Sequence, residues 1–450
     1  MSFKVYFIGI GGIGVSALAR YYLTQGWEVS GSDVILSEIT KALQKLGIRI
    51  YSVKQNIKKM MPDLVIYSPA IKENNSELKQ ARQLGIKTIS YPQALGELTK
   101  KYYTIAVAGA HGKSTTTAMI GLMMAQVGLD PTVVVGTKVK EFGNTNFRLG
   151  KSEYLVIEAC EYDQSFLNYW PQIIVLTNIE MDHVECYGNE AKLIKTFNEF
   201  INHLPQNGSL AACVDDKNVA KLIGANKKAD FEIKKYSLKM SEAKKLRKIM
   251  QIPGEHNINN GLAALTVGRL LKISDNKIFA SLAKYKGSWR RFEQEKGSIG
   301  GKKNTVISDY GHHPTQIKLT MQACRQKWPN KTIICVFQPH QAWRTYLLFK
   351  DFVAVFKNNP LNKIFITDIY QVSGRESGAI TKKINSKKLV AAIKNPNVEY
   401  IPNAEIYKEL AKTIKGGEVI LIMGAGDIYN LAKKLVFGFD KAGKKRRNNK

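Results

Sequence analysis

At 450 residues the chain is too long for one ordinary hydrophobic core and implies two to four domains. A composition of 44% hydrophobic and 23% charged residues excludes a disordered chain, and five scattered cysteines exclude a disulfide framework and point to a reducing compartment. The 67 Lys and Arg against 37 Asp and Glu give a formal charge of +30, suited to gathering polyphosphorylated substrates; without a continuous basic and aromatic track, no nucleic-acid partner is expected. No run approaches the roughly 18 apolar residues of a membrane span, and residues 1–50 lack the pattern of a signal peptide. The expected location is the cytoplasm, with no integral membrane contact; monomer and homodimer both stay open.

In chain order, Lys4–Ile8 reads as a buried strand entering a turn, residues 16–25 as a helix, and Glu28–Ser32, Leu64–Tyr67 and Lys87–Ser90 as further strands of a small α/β domain over residues 1–99. Gly9, Gly11 and Gly14 fit G-x-G-x-x-G between strand and helix, with Gly12 and Ile13 inside the loop. Missing side chains there let the backbone approach a pyrophosphate at a helix N-terminus. A dinucleotide, another nucleotide diphosphate and a purely structural turn all satisfy the pattern. Asp33, after the second strand, can accept from a ribose or sugar hydroxyl, and Ser68, Pro69 and Ala70 follow a strand into the same crevice or a simple turn.

The segment 100–296 opens with the apolar run Tyr103–Ala108 and continues with strands at 155–158 and 173–178. Directly after the first strand stand Gly109, Ala110, His111, Gly112, Lys113, Ser114 and Thr115. Successive backbone donors can surround phosphate, Lys113 can neutralise its oxygens, and Ser114 can ligate Mg2+. Val107 occupies the position of the first Walker glycine, so this is a shortened phosphate loop. Glu158, Asp182 and His183 follow strand ends and can line the same crevice as oxygen and imidazole ligands. Glu161 and Asp163 read either as further site residues or as caps of a helix starting near Gln164. The Lys-rich stretch 221–248 reads as peripheral. Asn257 and Asn260 lie three apart on one helix face, where they serve equally as caps or as adenine contacts.

Segment 297–440 follows a polar break at 298–304, with strands at 305–308, 332–337, 363–367 and 418–423; residues 441–450 form a basic tail. Arg290 and Arg291 suggest an anion clamp of which one member of a helical pair faces ligand. Asp309, His312 and His313 make a polar cluster without the spacing of a zinc site. His340 and Arg344 share a face if a helix begins there, and suit a carboxylate. Gly424, Gly426 and Asp427 close the last strand in a ligand-facing loop or a tight turn.

The order of these motifs, over almost the whole chain, resembles the Mur ligase family. The resemblance implies three α/β domains: a Rossmann-like N-terminal domain for a UDP substrate, a central P-loop ATPase domain and a C-terminal domain that helps bind the incoming amino acid. The order is most similar to members that use ATP and Mg2+ to join L-alanine to UDP-N-acetylmuramate through an acyl phosphate. By that likeness Gly11, Gly12, Ile13, Gly14, Asp33 and Ser68 are UDP-substrate contacts, residues 109–115 the ATP loop, Glu158 and His183 magnesium residues, Asn260 an adenine contact and Arg291 a nucleotide contact. His312, His340 and Arg344 fall to the substrates. Ser114 replaces a more usual threonine, Gly311 an alanine, and Gln341 an arginine beside His340, which leaves Arg344 to meet the amino-acid carboxylate.

Overall fold

The computed structural model describes residues 2–52, 54–182, 184–226, 230–372 and 378–437. It divides into two compact units, Met1–Met250 with Ile258–Tyr285, and Gln251–Asn257 with Lys286–Lys450. The first unit carries two sheets and the second carries one.

The first sheet is wholly parallel and runs in the order Arg49–Tyr51, Glu28–Ser32, Lys4–Ile8, Leu64–Tyr67, Lys87–Ser90. Its central strand is apolar on both faces, as burial under helices on either side requires. Val5 and Phe7 join one core with Val29, Leu64 and Leu95, while Tyr6 and Ile8 face Val65, Leu78 and Ala81. Beneath this sheet Glu77 is 2% exposed and accepts from Tyr6 Oη at 2.7 Å, Ser32 Oγ at 2.8 Å and the Gln55 amide at 3.0 Å. Three donors replace its lost hydration, so the buried carboxylate needs no cation. The four predicted strands are present; Arg49–Tyr51, three residues long, carried no periodic signal.

The second sheet has seven strands in the order Glu232–Tyr236, Ser209–Cys213, Ile173–Leu176, Tyr103–Ala108, Tyr154–Ala159, Thr132–Val139, Thr145–Arg148, all parallel except the last. Tyr103–Ala108 lies at its centre. The Lys-rich stretch supplies only the edge strand Glu232–Tyr236 and flanking helices, in keeping with a peripheral reading. The helix anticipated from Gln164 is absent. Tyr162–Asn168 is instead a short 3-10 segment, kinked where Asp163 and Gln164 adopt left-handed φ of 50° and 54°.

In the second unit the sheet order is Glu293–Ile299, Lys302–Asp309, Val419–Met423, Ile333–Phe337, Lys363–Ile366, Val398–Tyr400, parallel except for the first pair. The expected polar break at 298–304 is a β-hairpin turning at Gly300 and Gly301. Its alternation of exposed and inward residues from Glu293 onward was masked by charged side chains. Arg290 and Arg291 are not helical either: Arg290 has φ of 56°, and Ser288 bridges Arg291 in an isolated antiparallel pair. Phe337, Phe352 and Phe356 pack together under the sheet, with the Phe337 and Phe356 rings 5.1 Å apart. Phe352→Ala removes a fully buried ring from this cluster and is expected to destabilise this unit by about 3–5 kcal/mol. Urea unfolding followed by tryptophan fluorescence checks it; a loss under about 1 kcal/mol contradicts this packing.

Candidate active site

The phosphate loop leaves the carboxyl end of the central strand Tyr103–Ala108 and enters the helix Lys113–Gln126. Its path demands glycine at two points. Gly109 has φ of 134°, and a Cβ there would lie 2.1 Å from Thr177 Oγ1; Gly112 has φ of 83°, and its Cβ would lie 2.4 Å from Asn260 Oδ1. Between them the His111 amide donates to Asn178 Oδ1 at 2.9 Å. The His111 carbonyl accepts from Thr177 Oγ1 at 2.7 Å and from Asn178 Nδ2 at 2.9 Å. His111 Nε2 meets Glu180 Oε2 at 2.8 Å. The neighbouring strand Ile173–Leu176 thus delivers Thr177, Asn178 and Glu180 as a brace for the loop. Asn260, one of the adenine candidates, packs on Gly112.

Lys113 Nζ donates to the Gly109 carbonyl, to the Ala110 carbonyl at 3.1 Å and to Glu161 Oε2 at 2.8 Å. Burial works to lower the pKa of the ammonium, but the neighbouring negative charge, chiefly Glu161, prevails and holds it above the ordinary lysine value. Ser114 Oγ donates to Glu158 Oε2 at 2.8 Å, and the Gly136 amide donates to the same oxygen at 2.8 Å. A hydroxyl and a carboxylate converging at the mouth of a phosphate loop form the hard oxygen set that Mg2+ prefers, so the residues present fit that ion. His183, the remaining magnesium candidate, lies outside the described residues.

At the first glycine loop the Gly11 amide donates to Asp33 Oδ2 at 2.8 Å, and Asp33 Oδ1 accepts from the Ile35 amide at 2.9 Å. Asp33 therefore shapes the loop itself, whatever else it accepts. Gly9 lies against Ser68, whose Oγ accepts from the Ala70 amide at 3.3 Å. Gly12 precedes the helix Ile13–Thr24, Gly14 packs on Tyr91, and the Ile13 carbonyl accepts from Asn146 Nδ2 of the second sheet. The candidates around both loops thus cluster at the carboxyl ends of their strands, where open parallel sheets bind ligands.

In the second unit Arg344 Nη1 lies 3.2 Å from His340 Nδ1, across the first turn of the helix Ala342–Leu347. That contact suits a neutral imidazole with its proton on Nε2. His340 stacks on Tyr370 at 5.5 Å and neighbours His312 at 5.9 Å, so the three candidates His312, His340 and Arg344 adjoin. Asp309 has a structural duty: it accepts from the Phe292 amide at 2.9 Å and the Gly311 amide at 2.8 Å. His313 caps the helix Pro314–Lys327. Arg290 is 8% exposed, sits over Tyr310 at 4.8 Å, and donates to the carbonyls of Gly424 and Gly426, while Arg291 lies over the same ring at 4.9 Å. Gln338 Nε2 donates to Asp427 Oδ1 at 2.7 Å, which ties the glycine loop to the neighbouring strand.

Thr177, Asn178, Glu180 and Gly136 were not singled out from sequence; Asn178 did end a predicted strand, but only the strand order sets it beside the phosphate loop. Gly112→Ala forces a Cβ into Asn260 at an unfavourable φ and is expected to weaken ADP binding by about tenfold or more with the fold retained. Calorimetric titration with ADP, alongside circular dichroism, measures both.

Three family descriptions match successive parts of the chain: the Mur ligase family catalytic domain over residues 4–103, the Mur ligase middle domain over 107–268 and the Mur ligase glutamate ligase domain over 290–426. A UDP-N-acetylmuramate–L-alanine ligase of Clostridium kluyveri is 37% identical, with 96% of this chain and 97% of that protein covered. Among solved structures, a UDP-N-acetylmuramate-alanine ligase from Thermotoga maritima aligns with a TM-score of 0.77 at 26% identity, covering 96% of this chain and 97% of that one. A murein peptide ligase from Psychrobacter arcticus shares the fold, with a TM-score of 0.72 at 20% identity over 98% and 100% of the two chains. With a braced phosphate loop and three sheets in the expected order, matched from end to end by these relatives, the chain belongs to the Mur ligase family.

Proposed function

We propose that this protein is an ATP-dependent ligase that joins L-alanine to the lactyl carboxylate of UDP-N-acetylmuramate, releasing ADP and phosphate in peptidoglycan precursor synthesis. The observation that carries the reading is the pairing of Lys113 and Ser114 with Glu161 and Glu158 at the phosphate loop, in a chain 37% identical to an L-alanine ligase over 96% of its length.

The chemistry follows from a leaving-group problem. An amine cannot displace oxide from a carboxylate, so the muramate carboxylate attacks the γ-phosphorus of ATP and ADP departs. The amine of L-alanine then attacks the acyl carbon, and phosphate leaves. No side-chain nucleophile is required. In this reading residues 109–115 hold the ATP phosphates, Lys113 offsets charge on the transferring phosphoryl group, and Asn260 and Arg291 contact the nucleotide. Ser114 and Glu158 would hold Mg2+, with His183 assigned by likeness; the bound ion supplies further charge neutralisation. Gly11, Gly12, Ile13, Gly14, Asp33 and Ser68 are assigned to the UDP substrate, and His312, His340 and Arg344 to the substrates' acidic groups. We assign residues 1–99, 100–296 and 297–440 to UDP-substrate, ATPase and amino-acid roles, and the protein to the cytoplasm. No helix among the described residues is long and apolar enough to cross a membrane.

The deciding assay is ATP-dependent phosphate release with UDP-N-acetylmuramate against free amino acids and peptides. L-Alanine is expected to support turnover, and Lys113→Ala to lower it by about 100-fold or more; activity with peptides alone overturns the assignment. Arg344→Lys keeps the charge but loses the planar fork, and is expected to raise the L-alanine concentration needed by about tenfold while UDP-N-acetylmuramate binding is unchanged. An unaltered L-alanine saturation curve removes Arg344 from that role.

A further inference from the structure

Glu161 reads from sequence as either a further site residue or a helix cap, and it is among the most deeply buried charges of the first unit. Its side chain is 3% exposed and that of Lys113 is 11% exposed. The ammonium has three N–H donors, and Gly109, Ala110 and Glu161 accept from it. A terminal phosphate can therefore gain Lys113 only by competing with protein acceptors, and Glu161 is the charged one.

Glu161 does not owe its position to Lys113. It follows the strand Tyr154–Ala159 by two residues and is locked by the 3-10 turn beyond it: the Gln164 amide donates to its carbonyl at 2.9 Å, Tyr187 Oη donates to the same carbonyl, and the Phe166 amide donates to the Cys160 carbonyl at 3.1 Å. Asp163 and Gln164 take left-handed backbone to make that turn, a cost that the surrounding bonds must offset. The second carboxylate oxygen, Oε1, is buried without a hydrogen-bond partner among the described residues. A fixed, half-satisfied anion thus stands where the nucleotide's negative charge must arrive.

We infer that Glu161 is a positioning residue that holds Lys113 between turnovers, yields it to the polyphosphate of the bound nucleotide, and reclaims it to expel ADP. The inference rests on the nucleotide-binding role given above to the phosphate loop. In this scheme Glu161 opposes tight nucleotide binding: its charge competes for Lys113 and repels the phosphates. Removing that charge strengthens ADP binding and slows turnover through product release, opposite to what damage to a structural contact does.

The test uses the full chain with Glu161→Gln, which keeps the shape, and Glu161→Asp, which keeps the charge. Calorimetric titration with ADP is expected to show about tenfold tighter binding for Glu161→Gln, the scale of one nearby like charge in a protein site. Glu161→Asp should stay near the parent, and kcat of Glu161→Gln should fall several-fold with stronger inhibition by added ADP. A folded Glu161→Gln protein that binds ADP no more tightly than the parent overturns the inference, as does equal tightening in both variants. Thermal melting confirms that each variant is folded. The readout is nucleotide affinity, whereas the ligase assignment stands on phosphate release with L-alanine, so either can fail without the other.

Discussion

The feature on which the site depends is the path of the backbone from Ala108 to Lys113. It must run close enough to its neighbours that no Cβ fits at Gly109 or Gly112, and it leads directly into the helix Lys113–Gln126. Such a loop cannot hold itself in place. Thr177, Asn178 and Asn260 hold it, from a neighbouring strand end and from a helix that begins about 80 residues later in the chain. The loop's conformation is thus a property of the seven-stranded sheet, with Tyr103–Ala108 at its centre, more than of a seven-residue motif.

Around that loop the charges are buried in partnership. Lys113 meets Glu161, and Ser114 and Gly136 meet Glu158, so each ionised group has a protein partner, although Glu161 Oε1 is buried without one among the described residues. Glu77, another deeply buried carboxylate of the first unit, accepts from three neutral donors. The contrast separates a carboxylate that fixes a fold from carboxylates whose partners can be shared with a phosphate or a metal. In the second unit Arg290 is likewise buried, packed against aromatic rings and donating to the Gly424 and Gly426 carbonyls. Arg291 is half-buried over the Tyr310 ring.

The architecture also suits the division of labour proposed above. Each of the three sheets ends its central strands in polar loops: residues 9–14 and Asp33 on the first, residues 109–115 with Glu158 on the second, and His340 with residues 424–427 on the third. Parallel strands expose their carboxyl ends on one edge, so each sheet offers one ligand-facing rim. Three rims match a reaction with three reactants, a UDP-linked acid, ATP and an amino acid, none of which needs a covalent link to the protein.

From the sequence alone came the strands that are apolar on both faces, such as Lys4–Ile8 and Tyr103–Ala108, both glycine loops, and the family. These are local signals: a buried parallel strand must be continuously apolar, and a phosphate loop must contain glycine where its backbone turns left-handed. The edge strand Arg49–Tyr51, the charged hairpin at Glu293–Ile299 and the left-handed turn at Asp163 and Gln164 left no such mark, because pairing with distant strands and neighbours outweighed their own propensities. The same holds within the site. The loop position of Lys113 was legible, but its partnership with Glu161, the Gly136 amide on Glu158, and the braces Thr177 and Asn178 were decided by tertiary structure, because hydrogen bonds between strands far apart in sequence depend on sheet order, which no local pattern encodes.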